Sequence, residues 1–409
     1  MNQSIQQNLA QNRLAVVTQK LLGYCRDCNW AGFEPYDATN SPIFERLPFL
    51  DSRLPRLVLT QFLKRSPLNL RRILGIVPTQ NPKALGLFLS AVVNLRKAGF
   101  SVDSSTTESL LEGLQVLRSP YDKYWCWGYN FPWQTRTILV PRWGPNVVCT
   151  TFVAQGLLDV FAETGNAKCL EMAVSAANYI IGDLYWNSGN GRCGFYYPIT
   201  QFDNQVHNAN LEAAALLCRI SKLTGDAKYI EPALAAARYA VTQQFEDGRW
   251  AYGESPHQQW TDNFHTGFNL SSLRAMSSTL GTTEFDDTIE RGFRFYLSHF
   301  FREDGAVGYY HDRFYPIDTH CIAQAIITLL DLKDLDAENM ARVWKIFTWA
   351  TDTIWNDRRG YFYYRILRTA IIRTSYIRWT QAWMLLALSR LLEESRLSQK
   401  DPSTCEAAK

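Results

Sequence analysis

Three histidines, His207, His265 and His320, follow Gly191, Gly248 and Gly305 at intervals of 16, 17 and 15 residues. An unpaired imidazole at the start of a helix feels the positive end of the helix dipole. That favours its neutral form and fits it to take or give a proton near neutral pH. Asp262 stands three residues before His265, and Asp318 two before His320. An aspartate in such a place is expected to cap a helix. A pair of acids facing one another across a pocket would instead serve as general acid and base on a glycosidic bond. Glu254 and Asp312 fall in loops, and Glu212 lies one turn inside a helical stretch. Taken singly, each histidine is explained by capping or by satisfying a buried polar group. Three in equivalent places point to a chemical role for at least one. Adjacent helices would hold them too far apart to share a metal ion, and no cofactor is expected.

Aromatic residues and arginines gather in the same loops. Residues 121–143 carry Tyr124, Trp125, Trp127, Tyr129, Phe131, Trp133 and Trp143 with Arg136 and Arg142. Trp250, Tyr252, Trp260, Tyr309, Tyr310, Arg313 and Tyr364 occupy the later loops. Residues 358–378 hold Arg358, Arg359, Arg365, Arg368, Arg373 and Arg378 and no acid. Flat rings offer apolar faces to sugar rings, and the guanidinium fork matches a carboxylate. An aromatic cleft rimmed by arginine suits an anionic saccharide; loop packing and a solvated strand face are the plainer account of the same residues.

The elements that would position these groups recur. Gly191, Gly248, Gly305 and Gly360 are each followed four residues later by an aromatic residue (Phe195, Tyr252, Tyr309, Tyr364), at spacings of 57, 57 and 55 residues. A period of this size signals one repeated supersecondary unit. Between the glycines, apolar residues at helical spacing form pairs: 148–161 with 169–181, 208–221 with 227–243, 264–279 with 284–299, 319–332 with 339–355, and 84–97 with 106–117. The helix at 376–392 lacks a downstream partner, and one at 6–25 would supply it and close a ring. The expected fold is therefore all-α: an (α/α)6 toroid, or six-hairpin barrel, with short β-hairpins in the loops at one end. Its first helices line the centre and its second, more charged helices form the outer layer. An open solenoid would not gather the aromatic loops around one pocket.

Bulk properties bound the reading. The 409 residues divide into an N-terminal helical wrap (1–78), a toroid domain (79–396) and a disordered tail (397–409). A net charge of +3 gives no reason to expect nucleic acid or a membrane surface as partner. No apolar run reaches bilayer-spanning length and the first ten residues are polar, so a cytoplasmic location is expected. Nine scattered cysteines fit that compartment; Cys25 and Cys28 have metal-ligand spacing but no second pair and no nearby histidine.

The run Trp-Thr-Asp-Asn-Phe-His-Thr-Gly-Phe at residues 260–268, the hairpin at 208–225 and Gly248-Arg249-Trp250 resemble the six-hairpin α/α-toroid superfamily of carbohydrate-active enzymes. More narrowly, Gly32-Phe33-Glu34-Pro35-Tyr36-Asp37, Asp262 to Gly267, and Tyr315-Pro316-Ile317-Asp318-Thr319-His320 with Gln324 resemble bacterial proteins associated with surface-polysaccharide biosynthesis. Asp318 to Gln324 is also similar to the helical domain of glucuronyl C5-epimerases. The resemblance implies a carbohydrate role, an oligosaccharide or polysaccharide substrate, and other polysaccharide-biosynthesis proteins as partners. Three readings follow: C5 epimerase- or lyase-type proton abstraction on a uronate-containing glycan, glycoside hydrolysis by paired carboxylates, and glycan binding or assembly without catalysis. A terpene-cyclase-like reading lacks the acidic initiating motif, and a prenyl-transfer zinc set is too compressed around Cys321.

Overall fold

The computed structural model describes residues 3–121, 123–199 and 205–400. Its helices, in chain order, are α1 (Gln3–Asp27), α2 (Ile43–Arg46), α3 (Arg53–Arg65), α4 (Pro82–Lys97), α5 (Ser104–Val116), α6 (Val147–Thr164), α7 (Ala167–Tyr179), α8 (His207–Thr224), α9 (Ile230–Thr242), α10 (Asn263–Leu280), α11 (Asp286–Phe300), α12 (Thr319–Asp331), α13 (Asn339–Thr353) and α14 (Trp383–Lys400). A π-helical turn, Ile377–Ala382, leads into α14. Helix α14 thus runs past the expected start of the tail, and residues 401–409 lie outside the described residues.

The ring closes. Helices α4, α6, α8, α10, α12 and α14 pack each against the next, and α14 returns to α4. Each inner helix also packs on an outer partner: α5, α7, α9, α11 and α13 follow their partners in sequence, while α1 packs on α14 from the other end of the chain. The inner helices are buried almost all round, as in α8, where His207 to Leu217 are all buried. That is how a helix reads when neighbours cover every face. Helix α6 is long and apolar enough to cross a bilayer by length and composition, contrary to the expectation above, yet 61% of it is buried within the ring. The ring, which needs an apolar helix covered by neighbours, accounts for its composition.

Capping residues set the helix ends. Asn81, Asn146, Asp262 and Asp318 accept hydrogen bonds from backbone N–H groups of the first turns of α4, α6, α10 and α12. Gly165, Gly225 and Gly281 end α6, α8 and α10 in the left-handed conformation. The repeated glycines have a further reason. Gly248, Gly305 and Gly360 have φ of 92°, 93° and 70°. A Cβ there would lie 2.3 Å from Arg291 O, 2.4 Å from Lys345 O and 2.9 Å from Lys20 O. Those carbonyls belong to α11, α13 and α1, so each loop staples itself to the next outer helix, and α1 receives the last staple. Gly191 also has positive φ but meets nothing within 4 Å.

Short antiparallel strand pairs join the helices: Tyr185–Asn187 with Cys193–Phe195, Trp355–Asn356 with Tyr361–Phe362, Trp133–Gln134 with Leu139–Val140, and Ala31–Gly32 with Thr79–Gln80. A three-stranded piece pairs Arg365–Ile366 with both Ile317–Asp318 and Ile371–Ile372. Its register sets Arg365 directly opposite Asp318.

Candidate active site

A cavity of about 560 Å³ opens where the inner helices begin. First-turn residues of the inner layer line it: Lys83 of α4, Val148 of α6, Asn208 of α8, Phe264 and His265 of α10, His320 of α12, and Arg378 and Trp379 ahead of α14. The loops add Tyr129, Trp133, Arg136, Tyr252, Trp260, Asp262, Tyr309, Tyr310 and Arg365, and the N-terminal segment adds Tyr36 with Leu57, Gln61, Lys64 and Arg65 of α3.

Asp262 does two jobs with its two oxygens. Oδ1 caps α10 by accepting from His265 N at 3.0 Å. Oδ2 lies 2.7 Å from His265 Nδ1 and accepts from Trp260 Nε1 at 3.0 Å. The carboxylate is 2% exposed, so its charge favours a proton on His265 Nδ1 and leaves Nε2 as the lone-pair nitrogen. Around this dyad, Tyr252 stacks on Trp260 with centroids 4.7 Å apart and planes 12° apart, and His265 sits 4.5 Å from Tyr252. The Arg136 guanidinium lies 5.5 Å from the Trp260 ring.

Asp318 is the equivalent cap on α12, and it is fully committed. Oδ1 accepts from His320 N and Trp379 Nε1, each at 2.9 Å, and Oδ2 accepts from Arg365 Nε at 2.8 Å. It holds Arg365 at the cavity wall and does not itself line the cavity. His320 is stacked on Phe264 at 4.5 Å and on Trp383 at 4.7 Å, and neither ring nitrogen has a hydrogen-bond partner among the described residues. Burial, with Lys83, Arg378 and His265 nearby, holds its pKa well below the usual imidazole range. His320 is therefore neutral. Phe264 touches both histidines, its ring 4.0 Å from His265 and 4.5 Å from His320.

The lining is strongly basic. Lys64, Arg65, Lys83, Arg136, Arg365 and Arg378 face the cavity against one acid, Asp262, among the described residues. Arg378 is ion-paired to the buried Glu34 at 2.7 Å and lies 4.9 Å from the Tyr129 ring. Burial pushes the Glu34 carboxyl up to about 7, with Arg378 opposing. Lys64 Nζ donates to the Tyr36 hydroxyl at 2.6 Å. Lys83 lies 3.9 Å from the Phe152 ring centroid and has no ion-pair partner among the described residues. Burial lowers the Lys83 ammonium and raises the neighbouring Glu212 carboxyl, as expected when charged forms leave water.

The cavity thus gathers most of the residues expected from sequence, namely His265, Asp262, His320, Tyr129, Trp133, Arg136, Tyr252, Trp260, Tyr309, Tyr310 and Arg365. Others stand elsewhere. His207 and Glu254 line a separate cleft with Arg192 and Tyr239, where Tyr239 donates to Glu254 and Arg192 pairs with it at 2.9 Å. Trp127 and Trp250 are buried, their indole N–H groups given to Leu114 O and Ala240 O at 2.9 and 3.0 Å. Tyr364 is buried against Arg365, and Arg313 lies over the Tyr310 ring with its side chain largely exposed. Lys83, Asn208 and Trp379 were absent from the expected set, although each begins an inner helix as the histidines do, and Arg378 was expected only as one of the arginines of residues 358–378. Tyr36 and Lys64 come from the non-repeating N-terminal segment and carried no periodic signal.

The fold and cavity define an α/α-toroid protein with its candidate site at the inner-helix N-termini. No known sequence family and no curated protein matches the chain. Among solved structures, the unsaturated glucuronyl hydrolase of Bacillus sp. GL1, responsible for the degradation of glycosaminoglycan, is similar at 16% identity and a TM-score of 0.59, over 88% of this chain and 97% of that one. A family 76 α-mannanase of Bacteroides thetaiotaomicron is similar at 14% identity and a TM-score of 0.59, over 78% and 86%. The cellobiose 2-epimerase of Bacillus thermoamylovorans is similar at 11% and 0.58, over 77% and 88%. All are six-hairpin (α/α)6 toroid enzymes acting on carbohydrates. This chain has their fold.

Proposed function

We propose that the protein is an enzyme acting on a uronate-containing glycan by abstracting the proton beside the sugar carboxylate, in the manner of a C5 epimerase or lyase. The observation that carries the proposal is the charge of the cavity: Lys64, Arg65, Lys83 and Arg136 line it without an ion-pair partner among the described residues, Arg365 and Arg378 join them while paired behind the wall with Asp318 and Glu34, and the one lining acid is bound to His265. Such a lining favours an anionic sugar and stabilises the charge that develops when the proton leaves. His265, oriented by Asp262, is the base through Nε2. The His265 imidazolium formed in that step is the group that returns a proton, to the leaving oxygen of a lyase reaction, and water supplies the opposite face of the ring in an epimerase reaction; neutral His320, a poor proton donor, packs beside it through Phe264. Arg365, fixed by Asp318, and Lys64 hold the carboxylate, and the Tyr252 and Trp260 rings receive a sugar face. Two-carboxylate hydrolysis finds less support, because it needs a second acid in the cavity.

The test is incubation in deuterated water with uronate-containing and neutral oligosaccharides, followed by proton NMR and mass spectrometry. Deuterium at C5 or a new unsaturated uronate is expected, and Asp262→Asn should lower the rate by about 10²-fold or more with a smaller change in KM. A gain of one water per product would establish hydrolysis instead. Binding without any turnover would establish a glycan-binding role.

A further inference from the structure

Helix α3 presents three different faces. Thr60 and Leu63 are buried toward the protein. Leu57, Gln61, Lys64 and Arg65 wall the cavity. Leu54, Val58 and Phe62, spaced four residues apart and so on one stripe, are 70%, 60% and 53% exposed. Helical geometry sets this apolar stripe directly beside the cavity stripe, with exposed Arg65 at their boundary. The stripe is no isolated accident of surface composition. Eight of the seventeen exposed large apolar side chains of the described residues fall between positions 47 and 77, Phe49, Leu68 and Ile73 among them. Scattered apolar residues on a surface mean little, but three on one stripe of a helix, with five more in the segments on either side of it, mark an interaction surface.

Charge identifies the occupant. No Asp or Glu occurs between Ser52 and Val102. Of the arginines between positions 53 and 72, Arg56 is paired with Asp51 and Arg71 with Asp37, whereas Arg53, Arg65 and Arg72 are exposed and have no acidic partner among the described residues, Arg53 and Arg65 standing at the two ends of α3. An exposed apolar stripe flanked by unpaired arginines has the composition of a helix lying in the interface of an anionic bilayer. The whole-chain charge of +3 conceals this local excess.

We propose that α3 docks the protein on an anionic lipid surface, with the mouth of the cavity beside the membrane, and that the glycan taken by the cavity is tethered to that membrane. The second half rests on the proton-abstraction reading above; the docking does not. Flotation with vesicles of phosphatidylcholine alone, and of phosphatidylcholine with phosphatidylglycerol, tests the docking. The protein is expected to float with the anionic vesicles and to be released as salt is raised. The double variant Val58→Glu/Phe62→Glu, at two exposed positions outside the cavity, should lower the bound fraction by about tenfold or more while leaving the melting temperature unchanged. With a uronate-bearing glycolipid in the vesicles, the variant should lose about tenfold in turnover yet match wild type on soluble uronate oligosaccharides. Wild-type protein that stays in solution, or a variant that floats as well as wild type, would overturn the docking. So would a dimer in sedimentation equilibrium that the variant abolishes, with no vesicle binding, since a second copy would then be the occupant. Equal turnover of the glycolipid by both proteins would overturn the tethered substrate. Flotation without turnover of any uronate would support the docking and reject the proton-abstraction reading alone.

Discussion

At the scale of single residues, the two capping aspartates show how one sequence pattern yields two outcomes. Both give Oδ1 to the first turn of an inner helix, at 3.0 and 2.9 Å. What Oδ2 meets separates them: an imidazole that opens onto the cavity for Asp262, an arginine for Asp318. The expectation that these residues cap helices and the expectation that they serve a site were never exclusive. His207 shares the repeat position of His265 but lines another cleft, and burial pulls its pKa down to about 4. Between that value and the unfolded value near 6.5 the unfolded chain binds the proton that the folded protein refuses. Stability is therefore full above about pH 6.5 and is lost as pH falls toward 4, by about 3 kcal/mol from this group. His320, lowered in the same direction, steepens the slope. Urea denaturation between pH 4 and 7 should show this fall, and His207→Gln should flatten it; an unchanged slope in the variant would remove His207 as its source.

Among the elements, the loop staple is the feature that the glycine period encodes. Gly248, Gly305 and Gly360 let a loop touch a helix carbonyl where any side chain would collide. Gly305→Ala should destabilise the protein by about 2–4 kcal/mol, because the new Cβ meets Lys345 O and the backbone is held at φ of 93°. Gly191→Ala, which meets no atom, should cost less from the positive φ alone. Urea titration of both variants checks the ranking, and equal losses would mean that the staple contributes nothing. The repeat was legible in the sequence because glycine is the residue such a contact requires; the carbonyl it touches was not, since that lies on a helix one repeat away.

For the whole molecule, closure is the central fact. Helix α1 packs on α14, receives the Gly360 staple through Lys20 O, and forms ion pairs from Arg13 to Asp352 and Lys20 to Asp357 at 2.6 and 2.7 Å. A chain lacking residues 1–27 leaves the apolar face of α14 uncovered and the ring without its sixth outer helix. It is expected to lose cooperative thermal unfolding and to bind hydrophobic dyes. Retained cooperativity at an unchanged melting temperature would show that α1 is an accessory to a ring that stands without it.

The sequence by itself determined the hairpins, their number, their inner and outer order and the loops that carry the aromatic residues. Those follow from local rules: helical spacing of apolar residues, capping side chains, and glycine where φ is positive. Tertiary structure decided which loop residues face one another. It turned Trp127 and Trp250 into packing, sent His207 and Glu254 to another cleft, and brought Lys83, Lys64, Tyr36 and Arg378 to the cavity. Tyr36 and Trp379 are far apart in the chain, yet the closed ring brings their rings to 5.7 Å. Periodicity fixes the face a residue occupies on its own helix, but the partner across a cavity depends on closure, which no local pattern records.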